Sequence, residues 1–478
     1  MNKTLFYLIF TCILTDIARV EAQKISIYFD TPPTTTPSVS KAILKYNKDF
    51  AYSLTFDDAS SDAFTTALPV MKGGKVMGNG VIYKGLFYTD GCGNDIPFRG
   101  GIAWNTANLQ GIDTHTGNVS NQLTWKQLDT LYNEGWDVMN HSYSHKNRWI
   151  LPMSDAEYLD EVQQNAVAVR NNTRKNIQMS VFIPPAGDNY YYTSALQTGH
   201  KIILDQSNAT IGFGGFRIDT ILNLYALKIH RIDLNNVYTR TVPSFIDTVA
   251  MKSKNGVKIW YNEFVHRIDD FTFNTPNYNF YYFKSYLESI ANQYAKTGQD
   301  RIWMAPAQEV YEYMVARQTL NINTQLVNNR LDISYDLSAV PIDLRRKVIT
   351  LVIPNTPNIT RIDVPRGVIM SFKATGTSKI VNLDFSPIAL SENNITQAPS
   401  VIDLFPNPTH DILNVKINNQ NNQTIKITIA DILGRILIEK NVQTTNFQIN
   451  TTNLTLGTYF LAIQQGENHY QRTFIKTQ

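Results

Sequence analysis

The sequence is short of three things: cysteine, long hydrophobic runs and blocks of one charge. Its 478 residues include 2 cysteines, and 43 Lys and Arg nearly balance 40 Asp and Glu, for a formal net charge of +3. No long run of Lys or Arg occurs, which excludes the basic surface typical of nucleic-acid and membrane-surface proteins. Beyond the N-terminus, no segment approaches the roughly 20 apolar residues that a membrane helix needs. We therefore predict no nucleic-acid partner and no transmembrane segment.

The first residues are typical of a secretory signal. Lys3 supplies a positive charge, residues 5–14 are apolar, and Val20-Glu21-Ala22 offers small residues for cleavage. We predict a signal peptide over residues 1–22. Its removal leaves Cys92 as the single cysteine, so no intramolecular disulfide is expected. Export without disulfides favours a bacterial protein over a small disulfide-rich extracellular one.

From residue 50 to residue 318, strand-like and helix-like stretches alternate. Capping boxes follow Thr124 and Ser154, and further helices are expected over residues 278–296 and 307–317. Such alternation predicts an α/β fold with a parallel sheet or barrel, whose active residues lie at the carboxyl ends of the strands. The predicted strands are 51–56, 136–140, 179–183, 224–229, 257–265 and 302–305.

The other parts of the chain differ from the α/β region in composition and in the pattern of their strand-like runs. Residues 23–45 hold one short strand and a proline-rich connector, and the Gly- and Asn-rich stretch 78–118 is expected to be an insertion at the mouth of the site. Short alternating runs such as 331–335, 347–353 and 368–372 predict a β-sandwich. The predicted divisions are 1–22 (signal peptide), 23–45 (N-terminal segment), 46–318 (α/β domain), 319–390 (accessory β-sandwich), 391–401 (linker) and 402–478 (a second set of short strands).

Two adjacent carboxylates, Asp57 and Asp58, follow the first strand of the α/β domain. Side chains alternate between the two faces of a strand, so neighbours at its end can play two roles in one site. One carboxylate would hold a metal ion while the other faces a reacting water. The alternative is ordinary turn and helix-cap chemistry before Ser60.

A pair of histidines follows the second predicted strand. His141 and His145 are four residues apart, which would place both imidazoles on one face of a helical turn, the spacing used for two ligands of one ion. The alternative is that the spacing is incidental. Asp58, at another strand end, would complete a triad of two His and one carboxylate that leaves a position open for water, as in catalytic zinc sites.

The motifs Thr55-Phe56-Asp57-Asp58 and His141-Ser142-Tyr143-Ser144-His145 resemble the first two motifs of the polysaccharide deacetylases of carbohydrate esterase family 4, the NodB homology family. The resemblance covers residues 46–318 and implies a distorted (β/α) barrel with one divalent metal ion, Zn²⁺ being the expected one. It further implies that Asp57 is the general base and that the metal ligands are Asp58, His141 and His145.

The third motif of the family, RxPxG, is only partly present. The chain reads Ile183-Pro184-Pro185-Ala186-Gly187, with Ile183 where the resemblance implies an Arg that orients the base through a further Asp. A backbone N–H donor to the oxyanion survives at Ala186, because it needs no side chain. Arg231 is a candidate to approach Asp57 from another strand.

The last motif of the family implies a general acid. Phe264-Val265-His266 resembles its leucine–x–histidine motif, which makes His266 the acid. A buried histidine with a structural hydrogen bond is the alternative.

The C-terminal region resembles a second family. Residues 404–411, 432–435 and 456–460 are similar to the C-terminal sorting domain of type IX secretion, a system of Bacteroidetes. The resemblance implies a small all-β sandwich over residues 402–478 that the secretion machinery recognises. It also implies that the protein passes through the periplasm to the cell surface or the medium.

Together these patterns predict a secreted, metal-dependent hydrolase that removes N-acetyl groups from a polysaccharide or oligosaccharide. Two alternatives stay open. One is an O-acetyl esterase of the xylan type, and the other is a carbohydrate-binding protein on a deacetylase scaffold that Ile183 has impaired.

Overall fold

The computed structural model falls into two compact units, residues 1–389 and 390–478. The predicted signal peptide and linker lie outside the described residues. Described are 23–173, 175, 177–206, 215–221, 224, 226–234, 244–254, 256–268, 270–271, 279–365, 367–386, 402–406, 409–417, 424–431, 436–455, 457–465 and 468–476.

Helices and strands are numbered in chain order. The helices are α1 (Leu68–Lys72), α2 (Trp125–Asn133), α3 (Asp155–Asn172), α4 (Tyr191–Gln197), α5 (Ser244–Lys252), α6 (Phe280–Tyr294) and α7 (Ala307–Thr319). The strands of the first unit are β1 (Gln23–Phe29), β2 (Ser40–Lys41), β3 (Phe50–Phe56), β4 (Gly74–Lys75), β5 (Ile82–Tyr83), β6 (Phe87–Thr89), β7 (Asp95–Pro97), β8 (Gly101–Trp104), β9 (Asp137–Asn140), β10 (Val181–Phe182), β11 (Ile202–Gln206), β12 (Phe216–Arg217), β13 (Leu227–Asp233), β14 (Ile259–Val265), β15 (Ile302–Met304), β16 (Asn321–Val327), β17 (Arg330–Asp336), β18 (Val348–Pro354), β19 (Ile359–Asp363), β20 (Ile369–Lys373) and β21 (Ser378–Asp384). Those of the second unit are β22 (Ile402–Phe405), β23 (Ile412–Ile417), β24 (Ile425–Asp431), β25 (Ile436–Val442), β26 (Asn446–Asn450), β27 (Gly457–Gln465) and β28 (Asn468–Lys476).

A closed ring of parallel strands confirms the predicted (β/α) barrel. The order around the ring is β3, β8, β9, β10, β11, β13 and β14, and β14 returns to pair with β3 along its whole length. Strand β15 adds to β3 at its start, and the antiparallel β12 adds to β14. Helices α2 and α3 begin at the predicted capping boxes of Thr124 and Ser154. Because the ring strands are parallel, all their carboxyl ends open at one end of the barrel.

The expected insertion over residues 78–118 is wrong in part, because residues 101–104 form the barrel strand β8. This strand packs closely against its neighbour: a Cβ on Gly101 would lie 2.3 Å from the terminal methyl of Met139, which would have to move. The hairpin β6–β7 leads away from the predicted mouth. Its turn contacts strand β20, which lies outside the barrel: Asp90 accepts a hydrogen bond from Ser371. Residues toward the end of the stretch reach the site, where the Ala107 N–H donates to the Tyr143 carbonyl at 2.7 Å.

The accessory β-sandwich is built from both ends of the first unit. One antiparallel sheet has the order β16-β17-β1-β19 and the other the order β2-β18-β21-β20. The three predicted strands in this region match β17, β18 and β20. The N-terminal segment contributes β1 and β2, so it completes the sandwich instead of standing apart as a connector. The domain boundaries themselves remain predictions.

A buried charge network joins the sandwich to the barrel at the end away from the strands' carboxyl termini. Arg345 and Arg346 both contact Asp137, the first residue of β9, at 2.8 and 2.9 Å. Arg346 also contacts Glu312 at 3.1 Å and Glu309 at 3.4 Å on α7. Breaking such a buried network leaves an uncompensated charge, which typically costs about 3–5 kcal/mol. The sandwich therefore braces the barrel from its amino-terminal face.

The second unit is all β, as predicted. It has a three-stranded sheet, β22-β23-β26, and a four-stranded sheet, β25-β24-β27-β28. Its apolar residues form their own core, which includes Leu413, Ile427 and Leu461. Residues 407–408, 432–435 and 456, which carry part of the sorting resemblance, lie outside the described residues. Across the described parts of both units, no helix has the length and apolar content to cross a membrane.

Candidate active site

All predicted site residues lie at the carboxyl end of the barrel. Asp57 and Asp58 follow β3, His141 follows β9, the turn Pro185–Gly187 follows β10, and His266 follows β14. These strands belong to one parallel ring, which brings together residues that lie far apart in sequence. The structure thus gathers the predicted side chains at one mouth.

Asp58, His141 and His145 form a cluster with metal-ligand geometry. Their potential ligand atoms lie within 4.8 Å of one another. The Asp58 Oδ1 atom is 3.4 Å from His141 Nε2 and 3.3 Å from His145 Nε2. Ligand distances of about 2.1 Å in a tetrahedral zinc site would place two ligand atoms about 3.4 Å apart. The same Oδ1 atom is buried without a hydrogen-bond partner in the described structure, so the cluster fits a small cation.

Hydrogen bonding prepares His141 to act as a ligand. Its Nδ1 atom lies 2.7 Å from the Ile183 carbonyl oxygen, so this nitrogen carries the proton and donates it. In the neutral imidazole the Nε2 atom then has its lone pair toward Asp58, as a metal ligand requires. Burial alone would raise the pKa of the Asp58 carboxyl, but the nearby imidazoles of His141 and His145 hold that pKa well below its usual range. Burial and the neighbouring His141 lower the pKa of His145 to about 4, which favours its neutral form.

The segment between the two histidines is not helical, contrary to the predicted helical turn. Ser142 and His145 have φ angles of 62° and 58°, in the left-handed region. The loop is held by polar contacts: the Ser142 N–H donates to Asn140 Oδ1 at 3.0 Å, and Ser144 N–H donates to the buried Glu161 at 2.8 Å. These contacts offset the strain and turn the imidazoles toward each other, with ring centroids 4.8 Å apart.

Left-handed backbone marks the other two site loops as well. Asp58 and Ala59 have φ angles of 59° and 49°, and Ala186 has 51°. Each non-glycine residue in this region costs of order 1 kcal/mol or more, and such strain is concentrated at functional sites. Each of the three loops predicted from the sequence motifs therefore contains strained backbone of the kind found at functional sites.

Asp57 forms a buried two-point ion pair with Arg231. Arg231 Nη1 donates to Asp57 Oδ1 at 2.8 Å and Nη2 to Oδ2 at 3.0 Å, and both side chains are 0% exposed. The guanidinium also lies 4.4 Å from the centre of the Phe264 ring. Strand β13 runs to Asp233, so Arg231 lies inside the strand and not after its end as predicted. Arg231 thus approaches Asp57 from another strand, as the sequence suggested, and gives it a cation directly.

Ile183 keeps a backbone role despite its apolar side chain. Its side chain is fully buried, and its N–H donates to the Asn140 carbonyl at 2.8 Å. Its carbonyl orients His141, as described above. The turn Pro185–Gly187 that follows leaves Ala186 exposed at the mouth. An Arg at 183 would have to enter this closed space.

His266 is half-buried and lies beside the cluster. Its charge contributes to lowering the pKa of both Asp58 and His145, and its ring centroid is 5.6 Å from that of Phe264. Its position directly after β14 puts it at the same end of the barrel as the cluster.

Asp188 is a residue of the site that the motifs did not single out. It is fully buried and accepts hydrogen bonds from the Arg148 N–H and the Tyr158 hydroxyl, both at 2.9 Å. It thereby ties the loop after His145 to the loop after Ala186. Its position directly after the partial third motif was the available signal.

Comparisons with known proteins agree with this geometry. Residues 45–203 match the family model described as polysaccharide deacetylase, and residues 403–477 match the one described as secretion system C-terminal sorting domain. A search of curated proteins found no match to this chain.

Similar solved structures include three relatives of low sequence identity. The family 4 carbohydrate esterase from Streptomyces lividans is 13% identical over 56% of this chain and 94% of that chain, with a TM-score of 0.31. A CE4 family pseudoenzyme from Bacillus anthracis is 12% identical over 55% and 66%, with a TM-score of 0.30. The Streptococcus pyogenes deacetylase PplD is 16% identical over 38% of this chain and 62% of that chain, with a TM-score of 0.25. The match thus spans less than two thirds of that last protein.

The sorting domain identifies the route of the protein: type IX secretion to the cell surface or the extracellular space, in Bacteroidetes. Three observations indicate a polysaccharide deacetylase domain in the first unit: the barrel, the motif residues at its mouth and the match over residues 45–203. This chain therefore carries a polysaccharide deacetylase domain of the NodB, carbohydrate esterase family 4 type, followed by a type IX secretion C-terminal sorting domain.

Proposed function

We propose that the protein is a metal-dependent N-deacetylase of a polysaccharide or oligosaccharide. The observation that carries the proposal is the cluster Asp58–His141–His145 next to a buried, ion-paired Asp57. A Zn²⁺-type ion held by the cluster would supply Lewis-acid chemistry and lower the pKa of a bound water toward about 7.

Residues of the protein accept and donate the protons that the reaction moves. Asp57, held by Arg231, is the general base that accepts the proton of the attacking water. The Ala186 N–H donates a hydrogen bond to the developing oxyanion. His266 is the general acid that donates a proton to the leaving amine, a step that typically accelerates reactions by about 10²–10⁴. Amide hydrolysis depends on that proton more than ester hydrolysis does, because an amine anion is a very poor leaving group.

We expect the purified protein to release acetate from N-acetylated glycans and to lose this activity with a chelator. Added Zn²⁺ should restore it, and elemental analysis should find one ion per chain. The matched substrate is an O-acetylated xylan fragment, and preference for it would favour the esterase alternative. Full activity of metal-free protein would contradict the proposed cluster, and no release from any glycan would favour a binding protein.

We expect the sorting domain to be separable from catalysis. Residues 402–476 form sheets and a core of their own, in a unit distinct from the barrel. Deleting residues 402–478 should leave acetate release by the purified protein unchanged and should retain the protein inside the cell envelope. Fractionation of cells that express each form measures the export. A truncated protein that is inactive after purification, or that still reaches the surface, would contradict the separation.

A further inference from the structure

Two chain segments lead from the site to one exposed aromatic pair. One segment continues from His145 to Trp149, whose side chain is 65% exposed, and the other continues from Ala186 to Tyr190, which is 59% exposed. The Arg148 guanidinium lies between them, 4.1 Å from the Trp149 ring centre and 4.5 Å from that of Tyr190. The other tryptophans are buried or half-buried, so Trp149 is exceptional among them.

The pair is held rigidly next to the site. Buried Asp188 accepts hydrogen bonds from the Arg148 N–H at 2.9 Å and from the Tyr190 N–H at 3.1 Å. Tyr190 is four residues from Ala186, so the two Cα atoms are at most roughly 14 Å apart. A chain molecule whose reacting group is at Ala186 would reach the aromatic pair within a few units.

A polar cleft of about 450 Å³ continues from Tyr190. It offers a carboxylate, two carboxamides, two hydroxyls and a phenol, and no basic side chain lines it. No cation is found among the described residues that line the cleft, and the neighbouring Arg148 already lies 3.5 Å from the buried Asp188 carboxylate, which argues against phosphate or sulfate ligands. The polar lining argues against a lipid. The lining residues are Asp155, Asn189, Tyr190, Thr193, Ser194 and Gln197.

This combination matches the surface of a sugar ring. A sugar has apolar C–H faces, which can pack on an aromatic ring, and many hydroxyls, which pair with carboxylate and amide side chains. Specific sites for small polar ligands combine such packing with a few placed polar groups. The planar side chains of Asn189 and Gln197 supply both donors and acceptors.

We propose that Trp149, Tyr190 and the adjoining cleft form a sugar-binding subsite for a unit of the N-acetylated glycan next to the unit that is deacetylated. The proposal rests on the proposed function, since it concerns the same substrate chain. It assigns the protein a preference for oligomers over monosaccharides. Trp149 and Tyr190 are binding residues only and do not touch the reacting atoms.

The test compares a glycan chain with a small ester. In the variant Trp149→Ala/Tyr190→Ala, we expect kcat/KM on the hexamer of N-acetylglucosamine to fall by about 10-fold or more, as the loss of two ring contacts implies. The rate with p-nitrophenyl acetate, which is too small to reach the cleft, should stay unchanged. Tyr28→Ala is the matched control, because Arg361 lies 4.1 Å over the Tyr28 ring, but on the accessory sandwich.

A binding measurement separates this proposal from the catalytic one. The hexamer is titrated into Asp57→Asn protein, with and without the two alanine changes. This measures the affinity for the hexamer without turnover. We expect binding by the parent, about 10-fold weaker binding after the changes, and weaker binding in Gln197→Ala. Equal hexamer affinity with and without the changes, or no binding by the parent, would overturn the subsite, and the patch would then serve another partner. Failure of the proposed function would instead appear as absent acetate release by the unmodified protein.

Discussion

Asp57→Asn is expected to abolish nearly all acetate release while the protein keeps its metal ion. The amide has the shape of the carboxylate but cannot accept a proton, so the loss should be at least about 10²-fold, the lower range for a general base. The metal should stay because Asp58, His141 and His145 are unchanged. The measurement is kcat on an N-acetylated oligomer together with the metal content of the same sample.

The adjacent carboxylate provides the matched comparison. Asp58→Asn should lose the ion as well as the activity, because Asp58 Oδ1 lies 3.3–3.4 Å from both imidazoles. Two variants one residue apart would thus separate the base from the ligand. An Asp57→Asn protein that holds its ion and works at the wild-type rate would show that Asp57 is not the base.

Replacing Arg231 with Met is expected to cost both stability and activity. The change leaves Asp57, which is 0% exposed, without its cation, and breaking a buried ion pair in this way typically costs about 3–5 kcal/mol. The two-point contact also fixes the orientation of the Asp57 carboxylate, so activity should fall as well.

Denaturant unfolding and the kcat of the folded protein measure the two effects separately. Arg361→Met is the control for stability, since Arg361 and Asp363 form a pair 3.1 Å apart that is 61% and 53% exposed, and such pairs contribute at most about 1 kcal/mol. Arg231→Lys keeps the charge but loses the two-point contact, so it should retain part of the activity. If Arg231→Met destabilises the protein while the folded variant keeps the wild-type kcat, Arg231 has a structural role only.

The same pair explains what Ile183→Arg should do. Ile183 is fully buried, and Asp57 is already held by Arg231. A second guanidinium would enter this closed space, and unless a carboxylate other than Asp57 pairs with it, denaturant unfolding should show that the variant is destabilised.

The sequence by itself determined the features that depend on short stretches of chain. The Thr55–Asp58 and His141–His145 motifs, the capping boxes at Thr124 and Ser154, and the alternating strands of both sandwiches each lie within a few residues. Local hydrogen bonding and side-chain periodicity depend on near neighbours, so they can be predicted without knowing the fold. The resemblance to two families rested on these same stretches.

Only the tertiary structure decided which distant residues meet. Arg231 reaches Asp57 across 174 positions, and β1 pairs with strands 300 residues further along the chain. The His141–His145 segment is a strained loop and not a helical turn, because Asn140 and Glu161 hold it. Such contacts depend on the closure of the barrel and the order of its strands, which no local pattern records. The sequence offered Arg231 as a candidate partner of Asp57, but only the closed ring brings the two side chains into a two-point ion pair.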